Sequence, residues 1–207
     1  MKTKVSLIIL VFGILAVAAF ATIKTNIFQK QENEKTVTAA ALMTQARILP
    51  ETNSEMVELV NKEQEKQIKL EKERKEKEDM INQINKSLTS TLTGKGELFV
   101  NYSLEKGVDP YLAVSIVLLE TGCTWGCSTL VTQCNNVGGM HGTPSCGSGP
   151  YGRFSTLEIG IKKFIDNLAD NYIKQGLRTP EQINKKYATS STWATKVNNY
   201  MVKIKNK

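Results

Sequence analysis

The stretch from Gly107 to Gly122, GVDPYLAVSIVLLETG, carries one carboxylate to a place where a carboxylate is uncomfortable. Asp109 suits a helix cap and Pro110 the first helical position, so a helix is expected to start there. Leu112, Ala113, Ile116 and Val117 fall on one stripe at helical spacing, and Glu120 continues it, three residues after Val117 and four after Ile116. Gly122 is a natural left-handed stop. It puts Glu120 in the last turn, where the helix macrodipole disfavours a negative charge. An apolar wall and a helix C-terminus would both favour the protonated acid. A carboxylic acid held that way can give its proton to a leaving oxygen, which is what cleavage of a glycosidic bond requires.

Further along, Asn135 and Asn136 offer amide donors and acceptors, and Gly138 and Gly139 let backbone approach a ligand closely. Sugar acetamido and hydroxyl groups want such partners, and Tyr151 is a further candidate for contact with substrate. An Asn-Gly turn explains the same residues without any ligand, and local sequence does not choose between the two.

Taken in order, Glu120-Thr121-Gly122, Trp125-Gly126, Asn135-Asn136-Val137-Gly138-Gly139-Met140 and Tyr187-Ala188-Thr189 resemble the glucosaminidase domains of glycoside hydrolase family 73, within the lysozyme-like superfamily. The resemblance runs from about Leu92 to Ile204. It implies that Glu120, ending the helix that follows the Gly107-Val108-x-Pro110 turn, is the general acid. It also implies that the Asn-Asn segment lies in the cleft and that Tyr187 lines the site. The fold class it implies is α+β but mainly α: a lysozyme-like domain with a small irregular or β-hairpin lobe.

The carboxylate inventory narrows the mechanism. Between Thr121 and Leu157 there is no Asp or Glu, although many two-carboxylate glycosidases carry their second residue in the lobe beyond the catalytic helix. Glu158 is better explained as part of a capping box, Ser155-Thr156-Leu157-Glu158. A single-acid mechanism is therefore favoured, in which the substrate's own N-acetyl group assists at C1 or its 6-hydroxyl attacks to give an anhydro product.

All four cysteines, Cys123, Cys127, Cys134 and Cys146, lie in the stretch from Thr121 to Tyr151, where periodicity vanishes and Gly, Ser, Thr and Asn dominate. Such a lobe buries little apolar surface, so covalent staples would offset its conformational entropy. An even count behind an export signal fits two disulfides. Three pairings are possible, and proximity along the chain favours Cys123 with Cys127 and Cys134 with Cys146. The competing reading is a metal site of cysteines with His141, the sole histidine; export favours oxidation, and no metal or cofactor is expected.

Around these residues the helices follow from periodicity. Glu97, Leu98, Phe99 and Tyr102 suggest a helix ended by Gly107. Ile161, Phe164, Ile165, Leu168 and Tyr172 form a core stripe that ends before Gly176, Pro180 opens a short helix through about Tyr187, and Trp193, Val197, Tyr200, Met201 and Ile204 face inward on the last.

The N-terminal half does other work. Lys2 and Lys4 precede an apolar run from Val5 to Ala21, which suits a secretory signal or a membrane anchor with the lysines inside. Residues 1–22 are read as that segment and 23–53 as a linker. Residues 54–90 form a charged helical spacer, because Ser54 to Leu88 is rich in Glu, Lys and Gln and has no Gly or Pro. Its centre balances basic and acidic residues and has no apolar residue between Leu70 and Met80, so a solvated single helix fits better than a coiled coil, though the patches at Met56–Val60 and Met80–Leu88 leave room for weak pairing. At about 1.5 Å per residue it would hold a domain roughly 50 Å from an anchor. The domain proper, 91–207, follows.

Composition agrees with a globular chain: 41% hydrophobic residues suffice for a core. The formal net charge of +7, from 27 Lys and Arg against 20 Asp and Glu, favours anionic surfaces. Nucleic acid is not expected as a partner, since the charges of the spacer balance. The expected partners are peptidoglycan glycan strands and, if the first segment is kept, the cell membrane. The expected location is the extracellular side of that membrane or the cell wall. The sequence thus points to a peptidoglycan hydrolase of endo-β-N-acetylglucosaminidase type. A lytic transglycosylase or muramidase of the same fold, and a non-catalytic wall-binding or assembly module, stay open.

Overall fold

The computed structural model describes residues 54–207, with side chains from Met56 onward. The expected signal or anchor segment, 1–22, and the linker, 23–53, lie outside the described residues. Among the described residues no helix is long and apolar enough to cross a membrane.

The fold is mainly α. Helix α1 spans Ser54–Ser87, α2 Gly96–Glu105, α3 Pro110–Thr121, α4 Thr129–Cys134, α5 Leu157–Asn171, α6 Pro180–Tyr187 and α7 Trp193–Lys205, with single 3₁₀ turns at Ser90–Leu92 and Ile173–Gln175. The α+β expectation is corrected in one respect. Among the described residues there is no strand, and the anticipated hairpin is reduced to two isolated antiparallel bridges, His141 with Tyr151 and Ser145 with Gly152. Glycine, serine and proline through residues 142–150 supply few side chains to pack across a ladder.

The chain divides into two compact units after Lys66. Of the first, the described residues are the opening turns of α1, where Met56, Val57 and Leu59 are exposed and Lys62 pairs with Glu58 at 2.7 Å. Helix formation here rests on propensity and such pairs.

The second unit, Gln67–Lys207, begins well before the expected boundary at residue 91. The last turns of α1 belong to its core. Ile84 and Leu88 are buried, with Met80 and Ile81 packed beside them. Asn85 Oδ1 accepts from the Gly96 backbone N–H at 2.8 Å and so caps the start of α2. Gln83 donates to the Lys205 carbonyl at 2.9 Å and accepts from the Tyr111 hydroxyl. The patch Met80–Leu88 that looked available for pairing between helices is thus spent within the chain. A chain that begins at Thr91 should accordingly lose most of its stability. Exposing the sites that Ile84 and Leu88 fill removes roughly 3–6 kcal/mol, of the order of a whole domain's stability. A chain that begins at Gln67 should melt like the full chain; equal melting of the two shortened chains would contradict this.

Helix α3 runs through the middle of this unit. Asp109 caps it by accepting from Tyr111 N at 2.8 Å, Pro110 is its first residue, and Gly122 ends it in the left-handed region at φ 66°. Every residue from Leu112 to Leu118 is buried, so the helix has no solvent face and the single stripe expected from its spacing is one part of a fully enclosed cylinder. It packs against α7 and α2, while α5 packs on α2 and α6 on α7. Helix α5 buries Ile161, Phe164, Ile165 and Leu168 as its spacing predicts.

Candidate functional site

Glu120 emerges where α3 leaves the core. Ile116 and Val117 are fully buried, yet one turn later Glu120 is exposed. The expected burial of the carboxyl against an apolar wall is therefore not found. What holds the side chain is a single donor: the indole Nε1–H of Trp193, at the start of α7, donates to Glu120 Oε1 at 3.0 Å. One oxygen is held, and the other, Oε2, is without a protein partner among the described residues.

Trp193 is 5% exposed, and a buried indole N–H requires an acceptor. Its ring lies 4.8 Å from that of Tyr187, tilted by 30°, and Tyr187 lies 5.7 Å from Tyr172. Glu120, Trp193 and Tyr187 thus form one group built from α3, α7 and α6. Thr179 and Gln182 make a full capping box at the start of α6, which fixes the helix that ends in Tyr187. Burial, and after it the charge of Glu120, push the Tyr187 hydroxyl well above the usual phenol range. It therefore stays a proton-bearing donor at any physiological pH, and it has no hydrogen-bond partner among the described residues.

Trp193 is the residue that reading the sequence under-described. It was expected to face inward on the last helix, which it does, but its hydrogen bond to Glu120 was not anticipated. The only signal was its type: a core tryptophan must find an acceptor somewhere.

The second expected cluster is assembled differently. Asn136 is fully buried and its amide is consumed by its own loop. Nδ2 donates to the carbonyls of Met140 and Gly152 at 2.8 and 2.9 Å, and Oδ1 accepts from Met140 N at 3.0 Å. Asn135 is the left-handed cap of α4 at φ 55°, and its Nδ2 donates to the Phe154 carbonyl at 2.9 Å. Gly138 lies against Phe164, where a Cβ would fall 2.2 Å from the ring, so packing on α5 accounts for this glycine. Gly139 adopts φ 59° beside Tyr151, whose half-exposed ring meets His141 edge-on at 5.3 Å. These five residues come together as a hydrogen-bonded loop. Among the described residues, no hydrogen bond or ring contact links it to Glu120, Trp193 or Tyr187.

The lobe is stapled as proximity along the chain suggested, Cys123 with Cys127 and Cys134 with Cys146, at Cα separations of 4.2 and 5.8 Å. With all four sulfurs paired, the alternative of a cysteine and His141 metal site has no thiolates to use. Among the described residues no group of three or more His, Cys, Asp or Glu is placed to hold a metal.

Glu158 lies elsewhere. Thr156, not Ser155, caps α5, accepting from Ile159 N at 3.2 Å, so the expected box with Glu158 does not close. Glu158 instead pairs with Lys95 at 2.5 Å, and that ammonium holds its carboxyl below the usual range. It lines a groove of about 460 Å³ together with Lys95, Tyr102 and Lys162, which contains none of the other candidate residues.

Comparison with protein-family models and with curated proteins returned no match for this chain.

Proposed function

We propose that this protein is a peptidoglycan hydrolase that cleaves glycan strands with Glu120 as its one general acid, in a lysozyme-like domain resembling those of glycoside hydrolase family 73. The observation that carries the reading is the Glu120 carboxyl itself: one oxygen held by the Trp193 indole, the other free, with the protonated Tyr187 hydroxyl on the same aromatic group. A carboxyl fixed at one oxygen can aim the other at a glycosidic oxygen, and a neighbouring phenol can hold a sugar hydroxyl or acetamido group. The absence of any Asp or Glu between Thr121 and Leu157, and the engagement of Glu158 with Lys95, favour assistance by the substrate itself over a second protein carboxylate. The internal satisfaction of Asn136 makes it a scaffold of the lobe in this scheme, with Tyr151 as the exposed candidate for contact with the glycan. Export to the outer face of the membrane or to the wall is part of the same reading and is supported by two disulfides, which persist in oxidising compartments.

The test is digestion of purified murein with identification of the new chain ends by mass spectrometry. Reducing N-acetylglucosamine ends support the reading, anhydro ends would assign a lytic transglycosylase, and intact murein would reject an enzyme of either kind.

Trp193 has a distinct role in this scheme, that of a positioning residue. Trp193→Phe keeps a ring against Tyr187 but deletes the donor, so the carboxyl loses its fixed orientation. We expect kcat on soluble glycan strands to fall about tenfold, the scale of one hydrogen bond to a charged group, while KM holds. A rise in KM with kcat intact would instead mark Trp193 as a binding contact.

A further inference from the structure

Trp125 is 95% exposed, which is an unusual place to leave the largest side chain. Its backbone, by contrast, is closely held. Residues 123–127 are closed into a small ring by the Cys123–Cys127 disulfide. Thr124 N and Trp125 N both donate to the Gly122 carbonyl, at 2.7 and 3.4 Å, and Ser128 N returns to the Thr121 carbonyl at 3.0 Å. At the base of the ring Cys123 is fully buried, and its carbonyl accepts from Thr89 Oγ1 at 2.6 Å. The ring therefore presents one bare indole on a rigid mount, at the end of the helix that carries Glu120.

A five-residue ring is the kind of disulfide that restrains the unfolded chain least. Its more evident effect is to fix the tip. Pre-ordering removes the entropy that a loop would otherwise lose on binding, so the arrangement suits an aromatic that must meet a ligand. From its surroundings we infer that Trp125 is a stacking platform for a pyranose ring of a glycan strand, next to the Glu120 site. Thr124, Gly126, Ser128 and Thr129 are small and polar. They add no second apolar side chain for entry into a bilayer and no cation for lipid head groups, whereas an exposed indole with hydroxyl-bearing residues as its chain neighbours suits the apolar face and polar rim of a sugar. Trp125 lies five positions after Glu120, a backbone reach of at most about 18 Å, which a short oligosaccharide spans.

This inference rests on the glycan-cleaving reading of Glu120, and the experiment separates the two. In the full chain carrying Glu120→Gln, so that ligand survives, binding of soluble N-acetylglucosamine oligomers is measured by calorimetry with Trp125, with Trp125→Ala and with Trp125→Tyr. Trp125→Ala should weaken binding about tenfold, the scale of one aromatic contact. Trp125→Tyr should restore most of it, and neither should move the unfolding temperature. Opening the ring by Cys123→Ser with Cys127→Ser should weaken binding part of the way. Equal affinity of Trp125 and Trp125→Ala overturns the platform and leaves the glycan reading standing. Failure of the unsubstituted chain to bind or cleave any glycan overturns that reading and the platform with it. Binding to anionic phospholipid vesicles that Trp125→Ala abolishes, with affinity for the oligomers unchanged, would assign the indole to a membrane and also overturn the inference.

Discussion

Glu120→Gln is expected to remove glycan cleavage, by about 10²-fold to 10⁴-fold, while leaving the fold intact. Gln keeps the size of a carboxylic acid and can still accept from the Trp193 indole, which bonds to Oε1 at 3.0 Å, so the group keeps its orientation and loses only its proton. The exposure of Glu120 sharpens the test, because substitution of an exposed residue has no buried network to collapse. Stability should hold or rise slightly, since a negative charge has left the C-terminal turn of α3. Glu158→Gln is the control: it breaks an exposed pair with Lys95 away from the aromatic group and should leave cleavage near normal. Turnover on murein together with thermal unfolding of both variants decides the matter. Wild-type activity in Glu120→Gln, or a dead Glu158→Gln that unfolds normally, would show that the acid is misassigned.

Among the single substitutions, Gly160→Ala is expected to have the largest effect on stability, and with a sign opposite to local propensity. In a solvated helix, replacing Gly by Ala stabilises by up to about 1 kcal/mol. Gly160, in the first turns of α5, packs so closely on α4 that an added Cβ would stand 1.7 Å from the Asn135 carbonyl oxygen. That oxygen cannot retreat cheaply. Asn135 is a left-handed cap, its side chain is bonded to Phe154, and Cys134 before it is tied to Cys146. A cost of about 3 kcal/mol or more is expected. Gly142→Ala, where the nearest atom would be 3.7 Å from the new Cβ, serves as comparison and should stay within about 1 kcal/mol. Urea unfolding of the two variants is the measurement, and a neutral Gly160→Ala would mean that α5 does not lie on the Asn135 backbone.

The parts that could be read from sequence are those set by local chemistry. Asp109, Pro110 and Gly122 bound α3 as their types require, Pro180 opens α6, and the cysteines pair with their neighbours. What could not be read depends on partners distant along the chain. Trp193 meets Glu120 across 73 positions, and no local pattern names that acceptor. The end of α1 looked like more of a charged spacer, but Ile84 and Leu88 are core, and beside them Asn85 and Gln83 reach the first residue of α2 and the last residue of α7. Asn136 looked like a donor for a ligand, and only the fold of its own loop reveals that its amide is already occupied.

The enclosure of α3 bears on how this protein tolerates change. A helix with one wet face can roll or slide a little when a core neighbour changes size, but α3 is walled on all sides from Leu112 to Leu118, and close packing leaves it no slack. A methyl group gained or lost at Ala113, Ile116 or Val117 must then be absorbed by the helix and the side chains around it, and any part that moves the helix is carried to Glu120 in its last turn. In the role proposed for Glu120, a sub-ångström error there would weaken proton delivery before it unfolds a domain. Across a library of conservative α3 variants, turnover should therefore fall by more than the accompanying loss of melting temperature accounts for, so that drift in this helix would be policed by turnover as well as by stability.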